Sequence, residues 1–314
     1  MKITNYLPGS EGSILALFEL VFGREMSKSY WQWRFADNPA GKFMIKLMWE
    51  GEQLIGHYAV SPVVLNVEGQ AYPTALSMTT MTHPDFIGKG IFRELAAALY
   101  DELYSSGKIK AIWGFPNSNS HYGFIKNLQW QNIGVVNTLI ISNKLGAIPD
   151  SAINYVDEFN KDHLKLINLT LENYPVSIHR DLDYLNWRYV ANPSNQYKIM
   201  ELRDNELSAL IVYKEYKHNS AKEIEINVME IFCKPDYDLM QRMFKNIFYE
   251  YQGRTNKISL WLSLWDPRYI LLEKMGFIMS GKNTFLSYHS KDTTNDKLSN
   301  LKNWYYSFGD SDVY

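Results

Sequence analysis

The sequence predicts an α/β (α+β) protein built from two similar domains, each a mixed sheet with helices on both faces. Three observations carry this. The heptamer Trp33-Arg34-Phe35-Ala36-Asp37-Asn38-Pro39 recurs as Trp187-Arg188-Tyr189-Val190-Ala191-Asn192-Pro193, an offset of 154 residues that is close to half the chain. In each half, apolar runs of strand character come first and amphipathic helices are interposed later, the order of a mixed sheet. A length of 314 residues is too great for one typical domain and comfortable for two.

Taken in order, the first half reads as helices over 11–22 and 27–35 and strands over 43–49, 53–67 (as one strand or two) and 71–82. A helix over 90–106 follows, with Ile91, Phe92, Leu95 and Leu99 on one face and Gly107 as its stop signal. A strand over 109–115, a helix over 120–128 and a strand over 133–142 complete it. The second half reads as helices over 158–171 and 177–190 and strands over 197–203, 207–217 and 223–233. A helix over 236–252, a strand over 257–264, a helix over 267–275 and a strand over 277–288 end it. In both halves a helix ending in Trp-Arg passes through Asn-Pro into a strand. The proline halts the helix and biases its asparagine toward extended geometry. Matches continue at the same offset, Phe43 with Tyr197 and Ile45 with Ile199. The expected domains are therefore 1–148 and 149–314. Trp31, Trp33 and Trp187, with Arg34 and Arg188, read as helix–sheet packing, aromatic bodies inside and guanidinium ends paired.

Composition narrows the function. A net charge of −2 argues against a general nucleic-acid or membrane-surface binder, which needs a basic excess. The single cysteine, Cys233, excludes an intrachain disulfide and a cysteine-based metal cluster, and no metal is expected. No apolar run reaches membrane-spanning length and Met1-Lys2-Ile3-Thr4-Asn5 has no signal character, so the cytoplasm is the expected location. Nothing in the chain calls for an oligomer, and a monomer is the expected state.

The most informative stretch is Met81-Thr82-His83-Pro84-Asp85-Phe86-Ile87-Gly88-Lys89-Gly90-Ile91-Phe92-Arg93-Glu94-Leu95. A β-branched, apolar run ends in a proline-marked turn, Gly-Lys-Gly follows, and an amphipathic helix opens. Glycines there let backbone N–H groups turn outward, and the helix adds its positive end. Together they make an anion site suited to a pyrophosphate. The dinucleotide fingerprint is absent, because no third glycine follows Gly90 three residues on.

His-Pro-Asp-x-x-Gly-Lys-Gly-Ile closely resembles the acyl-CoA-binding signature of the GNAT N-acyltransferase superfamily. The resemblance implies tandem GNAT-like domains, each a mixed, mostly antiparallel sheet flanked by helices, with acyl-CoA as co-substrate. By it, Met81, Thr82, Phe86, Gly88, Lys89, Gly90, Ile91 and Phe92 bind CoA, and a backbone N–H near Met81-Thr82 polarises the thioester carbonyl. Two positions depart from the signature. Ile87 stands where the family has Arg or Gln, and Phe92 replaces its final Gly or Ala. The second half has Cys233-Lys234-Pro235-Asp236-Tyr237-Asp238 at the corresponding turn, with no glycine and two carboxylates opposing a pyrophosphate. The N-terminal domain is therefore expected to bind acyl-CoA, and the C-terminal domain to be a degenerate copy that completes the acceptor pocket.

In this superfamily the amine attacks the thioester directly, so no nucleophile motif is required. The family's thiolate partner, a tyrosine, falls on Ile125 here. Tyr122, one turn earlier, either substitutes for it or packs. His83 and His121 are the candidate bases, the first also suited to ending a strand and the second to the surface of a first helical turn. Asn117 and Asn119 either orient a polar acceptor or cap the helix that follows. Trp265 lies at the equivalent strand exit of the second half. The ending from Trp304 to Tyr314 is too aromatic for a disordered tail and is expected to dock, with Asp310 and Asp312 either meeting a substrate or lying in a solvated turn.

The tandem arrangement, Phe115-Pro116-Asn117-x-Asn119-Ser120 and the Gly309-Asp310-Ser311-Asp312 ending resemble GNAT-type N-acyltransferases of bacterial polysaccharide (O-antigen) pathways. That resemblance implies a nucleotide-linked amino sugar of the dTDP-3-amino-3,6-dideoxyhexose type as acceptor, and acetyl or a short hydroxyacyl such as 3-hydroxybutanoyl as donor group. Two alternatives fit the same residues: a tandem GNAT enzyme for aminoacyl groups or another small amine, and a non-catalytic acyl-CoA-binding protein.

Overall fold

The apolar, β-branched runs of the two halves pair in the same sequence of strands. The computed structural model describes residues 1–142, 145–217, 224–292 and 296–312. They form two compact units. The first comprises Met1–Ile133 with Phe285–Ser299, the second Gly134–Thr284 with Asn300–Tyr314.

In the first unit, β1 (Lys2–Asn5), α1 (Glu11–Phe22), α2 (Lys28–Phe35), β2 (Met44–Glu50), β3 (Gln53–Val67) and β4 (Gln70–Thr82) come in order. Then follow α3 (Ile91–Ser105), β5 (Ala111–Gly114) and α4 (His121–Asn127). β1 to β4 pair successively antiparallel, and β5 joins β4 in parallel through Thr74–Leu76 and Ala111–Trp113. Ser287–His289 close that edge antiparallel to β5. The strands alternate their side chains between two apolar layers. Ile45, Leu47 and Ala59 meet Ile14, Leu17 and Trp31 of α1 and α2, whereas Met48, Tyr58 and Val60 meet Ile91, Leu95 and Leu99 of α3.

The second unit contains β6 (Gln131–Ser142) from Gly134 on, β7 (Ile153–Val156), α5 (Lys161–Leu171), β8 (Val176–Ile178) and α6 (Leu182–Leu185). β9 (Lys198–Arg203), β10 (Leu207–Lys217), β11 (Ile224–Cys233), α7 (Tyr237–Glu250), β12 (Thr255–Trp261) and α8 (Tyr269–Met275) follow, then β13 (Ile278–His289) as far as Thr284, its remainder belonging to the first unit. β7, β9, β10 and β11 pair antiparallel in that order, β12 joins β11 in parallel, and β6 closes the edge antiparallel to β12. This repeats the first unit strand for strand, which is what the duplicated heptamer implies.

Three expectations change. The division falls between Ile133 and Gly134 rather than after residue 148, because each sheet is closed by a strand from the other half of the sequence. The helix expected over 177–190 starts only at Leu182, capped by the Asp181 carboxylate accepting from Tyr184 N at 2.7 Å, and widens to a π-helical turn over Asn186–Val190. Before it, the β-branched Val176 and Ile178 keep the chain extended as β8. Short β1 and β7, too brief for an alternation signal, complete the two outer edges.

The aromatic tail docks in the second unit. Tyr305 N donates to Val176 O at 2.8 Å, Trp304, Tyr305 and Tyr306 are buried, and Phe308 packs on Trp261 at 5.1 Å.

One close approach fixes α3. A Cβ on Gly56 of β3 would lie 2.9 Å from Leu95 Cδ1 and nearer still to Ile91 Cγ2, so the helix rests on bare backbone. Gly56→Ala is expected to push α3 off the sheet and to cost about 1–3 kcal/mol by overpacking. A urea titration of the variant checks this, and an unchanged midpoint would mean that α3 yields freely.

Candidate functional site

The turn between β4 and α3 is built to leave backbone donors exposed. After β4, His83 caps a 3-10 turn over Pro84–Phe86, its Nδ1 accepting from Asp85 N at 3.3 Å. Gly88 (φ 82°) and Gly90 (φ 80°) both adopt the left-handed conformation, which disfavours any residue with a Cβ. Gly90 caps α3 without a side-chain bond, and the first helical bond is Glu94 N to Gly90 O at 3.1 Å. The N–H groups of Ile91, Phe92 and Arg93 therefore precede the helical ladder, at the positive end of a 15-residue helix.

A cavity of about 720 Å³ opens over this turn, lined by Thr82, Phe86, Gly88, Lys89, Gly90, Ile91 and Phe92 together with Ile87, Arg93 and Asn127. It gathers every residue expected to bind the cofactor except Met81, which is 1% exposed and packs in the core with α1 and α2. Two cations flank the glycines. Lys89 Nζ sits 4.2 Å from the Phe86 ring centroid, and Arg93 lines the wall. Phe92 has an evident packing role, edge-on to Tyr58 at 5.8 Å and to Phe124 at 5.3 Å.

The corresponding turn of the second unit is closed from within. Asp236 Oδ1 accepts from Leu239 N at 3.0 Å, so α7 caps its own N-terminus with the negative charge that α3 leaves to a ligand.

Further back along its length, β4 parts from β5. Their parallel pairing ends at Leu76 and Trp113, while β4 runs on to Thr82. Within that extension, Thr79 and Thr80 together oppose the single residue Tyr58 of β3, a β-bulge with Thr79 at φ 50°. The break in β4 thus lies at Thr79-Thr80, two residues before the expected Met81-Thr82. His57 Nδ1–H donates to Thr79 O at 2.7 Å and holds the bulge. Desolvation lowers the His57 pKa to about 4, and its Nε2 is buried without a partner among the described residues. A hydroxyl chain also reaches the parting strands. Trp130 Nε1–H donates to Tyr100 OH at 2.9 Å, Tyr100 OH meets Tyr58 OH at 2.8 Å, and that meets Ser77 Oγ at 2.9 Å. Sequence reading missed Thr79, Thr80, His57 and Ser77, because no glycine or proline marks the bulge and His57 stands in an unremarkable apolar strand.

The remaining candidates fall into distinct settings. His83 engages both ring nitrogens, since Nε2 lies 3.1 Å from Gln53 Nε2. His121 opens α4, stacks on Phe285 at 3.9 Å between ring centroids, and sets Nε2 3.3 Å from Asn132 Oδ1. The same helix reaches the cavity at Asn127, about 9 Å along its axis. Tyr122 is 70% exposed. Asn117 Oδ1 accepts from Asn119 N at 3.0 Å and Ser120 N at 3.1 Å, which closes the turn before α4 instead of capping the helix itself, and Asn119 is exposed. In the second unit Trp265 is half exposed and Asp312 half-buried.

Asp310 departs from expectation. It is 3% exposed, accepts from Arg180 Nη2 at 2.5 Å and from Ser307 N at 3.0 Å, and shares Arg180 with Glu230. Gly309 admits this turn of the tail against Tyr189 and Glu230, so the carboxylate anchors the tail instead of meeting a substrate. Burial pushes its pKa up to about 7 against the pull of Arg180.

Among the described residues no group of three or more His, Cys, Asp or Glu is placed to hold a metal, and no helix is long and apolar enough to cross a membrane.

Residues 8–132 match the family model described as an acetyltransferase (GNAT) domain. No curated protein matches the chain by sequence. Among solved structures, the chain is similar in fold to a GCN5-related N-acetyltransferase from Anabaena variabilis. The TM-score is 0.69 at 13% identity, over 93% of this chain and 73% of that one. A probable N-acyltransferase from Enterococcus faecalis gives 0.65 at 13% identity, over 92% and 72%. Saccharomyces cerevisiae N-myristoyltransferase with bound myristoyl-CoA gives 0.66 at 9% identity, over 92% and 78%. Residues 8–132 are thus similar to a GNAT-type acetyltransferase domain, and the class that this similarity supports is an acyl-CoA-dependent N-acyltransferase.

Two outcomes test the site. His57 is neutral in the fold, so its contribution to stability is complete above pH 6.5 and is lost as pH falls toward about 4. Between pH 7 and pH 5 this loss amounts to about 2 kcal/mol. His57→Asn keeps a donor for Thr79 O and should show that much less acid sensitivity in urea titrations at the two pH values; parallel losses in both proteins would exclude His57 as the cause. Separately, Gly90→Asp should weaken CoA binding by calorimetry at least ~30-fold, through a strained φ and a carboxylate placed at the helix terminus. Unchanged affinity would remove the turn as the phosphate site.

Proposed function

We propose that this protein moves an acyl group, acetyl or a short hydroxyacyl such as 3-hydroxybutanoyl, from CoA to the amino group of a nucleotide-linked amino sugar by direct attack. The observation that carries the reading is the cavity over Gly88-Lys89-Gly90, between the carboxyl end of β4 and the N-terminus of α3. Crevices at the carboxyl ends of such strands are where open α/β sheets bind ligands. A neighbour of the same fold, the yeast N-myristoyltransferase, holds myristoyl-CoA.

On this reading the N–H groups of Ile91, Phe92 and Arg93, with Lys89 and Arg93 side chains, receive the pyrophosphate. The bulge at Thr79-Thr80 supplies an N–H outside the ladder for the thioester carbonyl, where charge develops as the amine attacks. The C–N bond forms as the C–S bond breaks. His121 or His83 takes the proton lost by the amine, and the Tyr122 hydroxyl returns one to the departing thiolate. Asn117 and Asn119 orient the acceptor.

One observation supports a second reading, a non-catalytic acyl-CoA binder. The family's tyrosine position is Ile125, and Tyr122 is largely in solvent. A thermal-shift titration with acetyl-CoA, CoA, NAD and dTDP, singly and in pairs, separates the possibilities. A ligand at 100 times its Kd stabilises by about 2.7 kcal/mol. The proposal expects stabilisation by CoA species, a further increment with dTDP, and turnover of amino-sugar nucleotides. Silence to CoA would overturn it, and binding without turnover over a panel of amines would favour the second reading.

A further inference from the structure

The two copies of the Asn-Pro motif share a backbone but differ in chemistry. Met44 faces Val60 across β2 and β3, and its counterpart Lys198 faces Tyr213 across β9 and β10. Ser61 and Lys214, one residue further, therefore occupy equivalent positions. In the first copy Asn38 Nδ2 donates to Ser61 Oγ at 2.9 Å and Pro62 O at 3.0 Å, and its Oδ1 accepts from Ala40 N at 2.9 Å. In the second, Asn192 Oδ1 keeps the loop role, accepting from Ser194 N at 3.0 Å and Asn195 N at 3.1 Å. The accepting hydroxyl, however, has become an ammonium, which only donates. Asn192 Nδ2 is left buried with no partner among the described residues.

Lys214 is itself buried, 9% exposed. Its Nζ donates to the neutral Asn195 Oδ1 at 2.6 Å, and no carboxylate among the described residues lies within ion-pair distance of it. Lys198, in contrast, is paired with Glu250. Burial, aided by the nearby Arg188 guanidinium, lowers the Lys214 pKa to about 8. A buried cation without a counter-charge and a buried amide without an acceptor are both costly; Lys214 is offset only by the neutral Asn195 amide and by the Tyr197 ring, 5.8 Å from Nζ to its centroid. Asn192 and Lys214 both line one cavity of about 910 Å³ in the second unit, with Tyr197 and Tyr251 among its walls and with Asp157, Glu215, Lys198 and Lys217 also in its lining.

We propose that this cavity is a second ligand site, which binds the carboxylate or phosphate group of a small organic molecule on Lys214 Nζ and Asn192 Nδ2. The site stands independently of the Gly88–Gly90 turn.

The test uses the full chain with Gly90→Asp as background, so that anions at the β4–α3 turn do not contribute. Thermal melts are followed with inorganic phosphate and with acetate at matched ionic strength, with and without Lys214→Met. The proposal expects at least one anion to raise the melting temperature by about 2 °C or more beyond its effect on the Lys214→Met protein. A response to phosphate alone marks a phosphate-bearing ligand, and one to acetate alone a carboxylate. Without anions, Lys214→Met should melt higher, since it removes a buried charge, whereas a merely structural tie to Asn195 would make it melt lower. Asn192→Ala, which keeps the ammonium, should retain part of the anion response and serves if Lys214→Met does not fold. Equal anion responses with and without the Lys214→Met exchange, or no response to either anion, would overturn the proposal.

Discussion

The candidate site depends on the contact between bare backbone at Gly56 and the first turn of α3. Ile91 and Leu95 sit where any side chain on Gly56 would be, so the helix N-terminus has one resting place on β3. The strand end of the turn is fixed by the adjacent residue, since His83 N donates to Ile55 O at 2.9 Å. Two consecutive residues of one strand therefore anchor both ends of the segment that carries Gly88, Lys89 and Gly90. The glycines provide conformations that leave backbone donors outward, and the sheet keeps those donors in place. A phosphate site made of backbone needs both, because a loose loop would have to be ordered by its ligand at a cost in binding.

Much of this was legible in the sequence, for a physical reason. Glycines at positive φ, a proline-marked turn and a 3.6-residue apolar period are local signals, and the cavity gathers seven of the eight residues expected from them. The repeat was legible because Trp-Arg and Asn-Pro serve the same packing and helix-stopping roles in both units. What was not legible is non-local. The exchange of closing strands depends on which edge β6 and the end of β13 reach, and their alternation is the same whichever sheet they join. The bulge at Thr79-Thr80 depends on register against β3, and two threonines suit regular strand and bulge alike. Asp310 read as a substrate-facing or solvated acid because its partner, Arg180, lies 130 residues away in sequence.

The duplicated units divide their electrostatics. In the first, the helix after the fourth strand is left uncapped by any side chain, and in the second Asp236 satisfies the same terminus. At the Asn-Pro loop the pattern reverses. Asn38 and Ser61 satisfy one another in the first unit, while Asn192 and Lys214 are both donors in the second. Each unit is thus internally satisfied at one of these two places and deficient in negative charge or acceptors at the other.

This reversal argues against reading the second unit as decay alone. Loss of function ordinarily removes costly features, and an exposed helix terminus closed by Asp236 fits that description. A lysine introduced at a buried position, with no carboxylate beside it, does the opposite, because desolvation of an ammonium is among the larger penalties a fold can carry. The same unit shows how such a charge is held when its role is structural: Arg180 lies between Glu230 and Asp310, and Arg268 is bonded to Asp266. Lys214 lines a cavity with only the neutral Asn195 amide and the Tyr197 ring beside it, and the proposed anion would bring the counter-charge that the described residues do not.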